Sequence, residues 1–210
     1  MYLVKTPSVV KKIYPQFVWN FSRKEPYVYL TFDDGPHPEI TLEVLSVLKK
    51  FQAKASFFCV GKNVVRYPEV FNKIIEDGHA VGNHTFSHKN AWDTERELYL
   101  QDINRCDEVM ETSYFRPPYG KISKRTAKNI NKKIIMWDVL SGDFDRNIAP
   151  EKCLKNVIKN IEKGSIIVFH DSEKASGNML YALPRVLEYI NSQKWQCETI
   201  KKGLELSSPF

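Results

Sequence analysis

The sequence alternates between strand-like and helix-like segments from residue 27 almost to its end, and this alternation limits the fold more than any other feature. Short apolar runs predict strands at 27–30, 55–60, 79–82, 114–116, 133–140, 165–169 and 195–200. Helical spacing of apolar residues predicts helices at 40–51, 68–77, 94–110, 123–131, 150–162 and 179–192. Strands that alternate with helices form parallel sheets with right-handed crossovers, so we expect an α/β fold.

Two adjacent carboxylates, Asp33 and Asp34, follow the first strand in the sequence TFDDGP at 31–36. The glycine and proline after them favour a turn at this point. If the strand already bends here, one carboxylate can bind a cation while the other accepts a proton. A solvated acidic turn is the alternative interpretation, because such turns are common.

His84 and His88 lie four residues apart, a spacing that places two imidazoles on one side of a helical turn or tight loop. Asp34 is available as a third ligand, and two histidines with one carboxylate leave coordination positions open, as catalytic metal sites require. These ligands suit zinc, and also iron(II), cobalt, nickel or manganese. Two ordinary surface or core histidines are the alternative.

Two further segments place a polar side chain next to backbone that is either stiffened by proline or expected to be buried. Arg116 precedes two prolines, which fix the backbone and help to aim a guanidinium at a carboxylate, although a stiff surface loop would have the same pattern. His170 ends the apolar run 166–169, which is typical of a buried parallel strand. Functional residues concentrate at the C-terminal ends of barrel strands, so His170 is a candidate for a functional role. The alternative interpretation is a histidine with a structural role.

Together these segments resemble the polysaccharide deacetylases, the NodB-homology family, also called carbohydrate esterase family four. The matching motifs are TFDDGP at 31–36, HTFSH at 84–88, RPPYG at 116–120 and IIVFHD at 166–171. The resemblance covers residues 27–200 and implies a distorted seven-stranded (β/α) barrel. We therefore expect residues 1–210 to form a single domain, with residues 1–22 as an N-terminal extension across the bottom or side of the barrel.

The resemblance also implies a role for each motif residue. It assigns a divalent metal, zinc in the first place, to Asp34, His84 and His88. It makes Asp33 the catalytic base, His170 the catalytic acid and Arg116 the partner that orients the base. The Tyr119 backbone N–H would be an oxyanion donor. The implied substrate-binding residues are Pro118, Tyr119, Phe144 and Val168.

One motif departs from the family pattern, in the segment 137–145. Leu140 aligns where an aspartate usually orients the catalytic histidine, and Phe144 aligns where tryptophan is usual. Asp138 lies two residues before Leu140 and therefore on the same face of a strand, about 6–7 Å deeper. Asp138 is accordingly the sequence-based candidate for the orienting role.

Composition sets further limits on the chain. The 210 residues are 42% hydrophobic and 27% charged, as in ordinary soluble domains, and the net charge of +6 comes from scattered lysines. No run of five basic residues indicates nucleic acid, and no stretch of eighteen apolar residues indicates a membrane span. Four scattered cysteines suggest reduced thiols. The segment 1–20 lacks a secretory apolar core, so we expect a cytoplasmic protein, or a secreted or periplasmic one if a signal peptide was removed.

The expected activity is metal-dependent removal of N-acetyl groups from a glycan that contains N-acetylglucosamine, such as peptidoglycan or a chitin-like oligosaccharide. The acetylated glycan is the expected partner. An O-acetyl esterase acting on xylan-type polysaccharide is the nearest alternative. A catalytically inactive glycan-binding module and an iron oxygenase with a two-histidine, one-carboxylate site are the more distant ones.

Overall fold

The computed structural model describes residues 2–207, and its centre is a parallel sheet curled into a half-barrel with helices around its outer face. The strands are β1 (Tyr27–Asp33), β2 (Ala55–Cys59), β3 (Ala80–Asn83), β4 (Tyr114–Phe115), β5 (Lys133–Ile134), β6 (Val139–Leu140), β7 (Ile166–His170) and β8 (Gln196–Cys197). The helices are α1 (Ser8–Ile13), α2 (Ile40–Lys50), α3 (Gly61–Arg66), α4 (Pro68–Glu76), α5 (Arg96–Asp107), α6 (Lys124–Ala127), α7 (Pro150–Ile158), α8 (Ser176–Ser192) and α9 (Ile200–Ser207). The predicted α/β fold is confirmed, as a distorted (β/α)7 barrel.

The order of strands across the sheet is β5-β4-β3-β2-β1-β7-β6, and β8 pairs with the start of β1. Every pair of neighbouring strands is parallel. The C-terminal ends of the strands therefore meet at one rim. In the central register, Asp33 at the end of β1 lies opposite His170 at the end of β7.

Alternation along β1 separates the apolar core from the interior of the barrel. Leu30 and Phe32 are fully buried in the main hydrophobic core, which they share with the surrounding helices. Tyr29, Thr31 and Asp33 point the other way, because successive residues of a strand face opposite sides. The functional end of β1 is thus fixed by a strand that is buried on both faces.

The N-terminal segment, residues 2–22, packs along the open side of the half-barrel. Lys5 forms an antiparallel bridge with Val139 of β6. Val18 forms a parallel bridge with Ile135, and its carbonyl accepts a hydrogen bond from the Met136 N–H at 2.8 Å. The segment therefore occupies the gap between β5 and β6, which do not pair with each other.

This packing explains why the prediction of one continuous strand over 133–140 is wrong. The chain leaves β5 after Ile134, pairs with the N-terminal segment, and rejoins the sheet as β6 beside β7. The apolar pattern indicates that most of these residues are buried, but it contains no information about which distant segment each one pairs with.

Asp138 fastens the N-terminal segment to the barrel. Its buried carboxylate lies 2.6 Å from the Lys11 ammonium and 2.9 Å from both the Lys5 ammonium and the Arg23 guanidinium. It also accepts a hydrogen bond from the Ser165 hydroxyl at 2.7 Å. Burial opposes the charge, but these donors hold the pKa of Asp138 well below its ordinary value.

Smaller differences concern element ends and short helices. Helix α5 begins at Arg96, two residues after the predicted start, with Glu95 at the N-cap position and no side chain capping the helix. Helices α1, α3 and α9 were not predicted, since they are short or lie where no clear period exists.

All four cysteines are buried and free. None of the helices within residues 2–207 has the length and apolar character needed to cross a membrane.

Candidate active site

The two carboxylates at the end of β1 point in different directions because the backbone changes conformation between them. Asp33 is the last residue of the strand and points into the barrel, where its side chain is almost fully buried. Asp34 has a φ of 82°, in the left-handed region that is uncommon for residues other than glycine. This local turn allows neighbouring carboxylates to face separate groups.

Asp34, His84 and His88 form a cluster that fits a divalent cation. One ligand atom from each lies within 4.8 Å of the other two. The Asp34 Oδ1 atom is 3.1 Å from His88 Nε2 and 3.8 Å from His84 Nε2. Burial opposes ionisation of Asp34, but His88 and the nearby imidazoles hold its pKa well below the ordinary value. A carboxylate and two imidazoles with open positions are ligands of a catalytic metal.

The two histidines are placed by a short loop after β3 with unusual backbone angles. Thr85 has a φ of 63° and His88 a φ of 56°. The buried Asn83 side chain supports this loop: it accepts a hydrogen bond from the Thr85 N–H at 2.8 Å and donates to the Ile103 carbonyl at 2.9 Å. The loop is therefore held by side-chain contacts in conformations that would otherwise cost energy.

Arg116 connects the candidate base to the candidate metal cluster. Its Nη1 donates to Asp33 Oδ1 at 2.6 Å and to the Thr31 hydroxyl at 2.7 Å. Its own carbonyl accepts a hydrogen bond from His84 Nδ1 at 2.7 Å, which leaves His84 Nε2 facing Asp34. Burial lowers the pKa of His84 to about 4, so this ring is neutral and able to bind a metal.

The guanidinium of Arg116 is completely buried, and each of its three nitrogens donates at least one hydrogen bond. Besides its two side-chain acceptors, it donates to the carbonyls of Ile135 and Met136 at 3.0 Å each. It also lies over the Phe58 ring, 4.0 Å from the ring centre. A guanidinium held on all sides fixes the orientation of the carboxylate that it binds. No partner within residues 2–207 occupies the other Asp33 oxygen, Oδ2.

Tyr119 lies at the rim, beside the metal cluster. Its φ is 62°, and its ring meets His88 edge-on with 4.8 Å between the ring centres. Its backbone N–H has no hydrogen-bond acceptor among the described residues. The preceding Pro118 is buried and does not reach the cavity, so the structure does not support a direct substrate contact for Pro118.

His170 is oriented by Asp143, a residue that the sequence analysis did not select. Asp143 Oδ1 lies 2.8 Å from His170 Nδ1, and Asp143 Oδ2 accepts the His170 backbone N–H at 2.7 Å. Burial acts to lower the pKa of His170, but the Asp143 charge and hydrogen bond raise it to about 9. This aspartate thus keeps the imidazole protonated and its Nε2 directed away from the barrel wall.

The prediction that Asp138 orients His170 is wrong. Asp138 is one layer deeper, as the strand period indicated. Its carboxylate is occupied by Lys5 and Lys11 of the N-terminal segment and by the neighbouring Arg23. Alignment of Leu140 with the usual aspartate failed because the orienting carboxylate comes from the loop after β6. Gly142, with a φ of 77°, turns that loop back towards His170. The sequence Ser-Gly-Asp at 141–143 contained this signal.

These groups surround a cavity of about 770 Å³. Both candidate acid–base residues and the metal cluster lie at one end of it. The predicted pocket residues Tyr119, Phe144 and Val168 line the cavity, and Leu140 lies beside them. Phe144 meets the His170 ring edge-on at 5.2 Å between centres. An apolar wall therefore adjoins the polar groups, as binding of a small acyl group requires.

Comparison with known families agrees with this geometry. Residues 21–135 match the polysaccharide deacetylase family, and the chain belongs to that family. The match extends over more than half of the chain and includes the first three motifs, so the resemblance found in the sequence is confirmed.

Individual relatives are similar over a larger part of the chain. A peptidoglycan-N-acetylglucosamine deacetylase of Bacillus cereus is 31% identical over 195 residues, which cover 89% of this chain and 92% of the relative. A chitooligosaccharide deacetylase of Azorhizobium caulinodans is 34% identical, with 71% of this chain and 76% of the relative covered. A solved peptidoglycan N-acetylglucosamine deacetylase superposes with a TM-score of 0.86 at 27% identity, covering 94% of this chain and 96% of that one.

Proposed function

We propose that this protein is a metal-dependent hydrolase that removes N-acetyl groups from a glycan containing N-acetylglucosamine, either peptidoglycan or a chitin-like oligosaccharide. The observation that carries the proposal is the meeting of three groups at one end of the cavity. These groups are the Asp33–Arg116 pair, the Asp34–His84–His88 cluster and the His170–Asp143 pair. The names of the relatives support acetylated amino sugars as the substrate class.

Asp34, His84 and His88 would hold the divalent metal, and zinc suits this set of ligands best. When bound, such an ion polarises the acetyl carbonyl and makes water easier to deprotonate. Asp33 accepts the proton of the attacking water, because Arg116 fixes one of its oxygens and leaves the other free. The Tyr119 N–H donates to the oxyanion that develops on the acetyl oxygen.

His170 then donates a proton to the departing amine, since a free amide anion is a very poor leaving group. Asp143 serves this step by keeping the imidazole protonated and in a fixed orientation. The alcohol of an O-acetyl ester is a better leaving group than an amine, so its departure depends less on protonation by His170. The strong His170–Asp143 pair therefore favours an amide substrate over an O-acetyl ester.

The test is acetate release from N-acetylglucosamine oligomers, peptidoglycan and acetylxylan, measured side by side with and without a chelator. We expect release from at least one N-acetylated substrate, loss with the chelator and recovery with zinc. Preference for acetylxylan would instead indicate an O-acetyl esterase. Binding of the glycans without acetate release would indicate an inactive binding module.

A further inference from the structure

The cavity does not end at the acetyl-sized wall beside His170. It continues between the N-terminal segment and the chain from Met136 to Leu140. We call this extension the distal compartment; its lining residues are Leu3, Pro7, Val10, Trp19, Met136 and Trp137. Trp19 and Met136 are buried in the hydrophobic cluster below, so this part of the cavity has a fixed floor.

The distal compartment offers few free hydrogen-bonding groups to a ligand. The Thr6 hydroxyl at its edge already donates to the Trp137 carbonyl at 2.8 Å, and the Trp19 indole N–H donates to the Tyr14 carbonyl at 3.0 Å. Among the side chains that line this compartment, the Trp137 indole N–H is the polar group for which the described residues offer no hydrogen-bond acceptor. A sugar ring entering here would leave several hydroxyl groups unpaired, whereas a hydrocarbon chain loses nothing.

The position of the compartment connects it with the acyl part of the substrate. Leu140 and Val168, which belong to the apolar part of the wall near His170, line the same cavity. The N-terminal segment is held against β6 by the hydrogen bond from the Leu140 N–H to the Val4 carbonyl, at 2.8 Å. A chain that extends from the acyl carbon past these residues would therefore meet apolar side chains.

We propose that the distal compartment binds the acyl chain of N-acylated amino sugars longer than acetyl, so that the protein is also a deacylase for short and medium chains. This inference rests on the proposed function. The reaction is the same hydrolysis: water adds its oxygen to the acyl carbon, the C–N bond breaks, and the products are a carboxylic acid and the free amine.

Each methylene that leaves water on binding improves kcat/KM by about fourfold when it is fully buried. We therefore expect the wild-type protein to hydrolyse N-butyryl and N-hexanoyl chito-oligosaccharides with a kcat/KM at least equal to that for the N-acetyl oligomer. The measurement is amine release from the three oligomers, which have the same sugar backbone.

A matched pair of variants on α1 tests the location. Val10 lines the compartment, whereas its neighbour Val9 is 58% exposed on the same helix. We expect Val10→Trp to lower kcat/KM for the N-hexanoyl oligomer by at least tenfold while the N-acetyl oligomer is processed as before. Val9→Trp adds the same bulk outside the cavity and should behave as the wild type on both.

The outcomes separate this proposal from the function on which it rests. Hydrolysis of the N-acetyl oligomer with a lower kcat/KM for both the N-butyryl and the N-hexanoyl oligomer would overturn the proposal and leave the deacetylase function intact. If no oligomer is cleaved, the proposed function fails, and a binding experiment then tests the compartment by itself.

This experiment measures by calorimetry how N-acetyl- and N-hexanoyl-glucosamine bind to the Asp33→Asn protein. Tighter binding of the longer chain, with a negative heat-capacity change, supports the compartment, and equal binding refutes it. The same measurement applies if Val10→Trp does not fold.

Discussion

At the residue scale, the site depends on giving neighbouring or similar side chains different tasks. Asp33 and Asp34 are chemically identical and adjacent, yet one is fixed by a buried arginine and the other faces two imidazoles. His84 and His170 differ in the same way. Burial lowers the pKa of His84 to about 4, whereas Asp143 raises that of His170 to about 9. One ring is thus suited to bind a metal, and the other to donate a proton.

Asp33→Asn tests the division between the two carboxylates. Asparagine has the same shape but cannot accept a proton from water, so turnover should fall by roughly 10²–10⁴-fold. Metal content should stay the same, because Asp34 and both histidines are unchanged. Kinetics on an N-acetylglucosamine oligomer, combined with elemental analysis of the purified variant, gives the answer. Loss of metal from this variant would show that Asp33 is itself a ligand.

Asp143→Asn tests the orientation of the acid. Removing the negative charge lowers the pKa of His170, and an acid is active only below its pKa. The alkaline limb of the pH profile of kcat/KM should therefore move to lower pH, with a loss in rate of roughly 10- to 1,000-fold. Asp138→Asn is the matched control, since Asp138 makes no contact with His170. A shift of the limb in the control variant, and not in Asp143→Asn, would contradict our assignment.

The residue scale also shows where sequence reasoning fails. Asp33, Asp34, His84, His88, Arg116 and His170 lie in compact motifs, and the structure brings all six together. Asp143 was missed because its effect depends on a left-handed glycine that folds the loop back, whereas Asp138 was chosen on strand period alone. Period predicts the face of a strand correctly but cannot show which distant charges already occupy a carboxylate.

At the scale of elements, the N-terminal segment is held by an ionic cluster with a single buried anion. Lys5, Lys11 and Arg23 all converge on Asp138, although their own side chains remain partly in contact with water. Removing the anion leaves three cations close together, with the exposed Glu162 beside Lys5 and Arg23 as the remaining counter-charge. The segment should therefore loosen before the half-barrel itself unfolds.

Asp138→Asn should lower the free energy of unfolding by about 2–3 kcal/mol, somewhat less than for a fully buried pair because the cations reach solvent. Since folding lowers the pKa of Asp138, its stabilisation is present above about pH 4 and is lost as the pH falls further. The difference from the wild type should thus shrink in acid. Urea denaturation at pH 7 and pH 3 measures both effects.

Glu162→Gln is the control for this experiment. Glu162 pairs with Lys5 at 2.8 Å, but its side chain is 59% exposed, and such surface pairs contribute little. We expect a change within about 0.5 kcal/mol. A larger effect for Glu162→Gln than for Asp138→Asn would mean that the outer pair, and not the buried anion, fastens the segment.

At the scale of the whole molecule, the candidate metal cluster links two separate parts of the chain, the end of β1 and the loop after β3. Zinc bound at a hundred times its dissociation constant should stabilise the folded protein by about 2.7 kcal/mol, which corresponds to roughly 5–10 °C in Tm for a chain of this size. Thermal unfolding of chelator-treated protein with and without zinc gives the shift. His88→Ala should abolish it, and His37→Ala, outside the cluster, should retain it.

Much of the architecture was predictable because strand–helix alternation is a local property. The parallel sheet and its functional rim follow from it directly. The break between β5 and β6 was not predictable, because it depends on Val18 and Lys5 pairing with residues more than a hundred positions away. For the same reason, the N-terminal segment could be placed only beside the barrel in general, and its contribution to the cavity could not be foreseen.

This pairing has a consequence for the order in which the chain can fold during synthesis. Residues 2–22 are translated before their partners Ile135, Val139 and Ser165, which lie more than a hundred positions further along the chain. The N-terminal segment therefore stays unpaired while most of the barrel is translated. Contacts between residues so far apart in the sequence also form slowly. The wall of the cavity is therefore completed late, and it cannot be finished until the chain has been translated past Ser165.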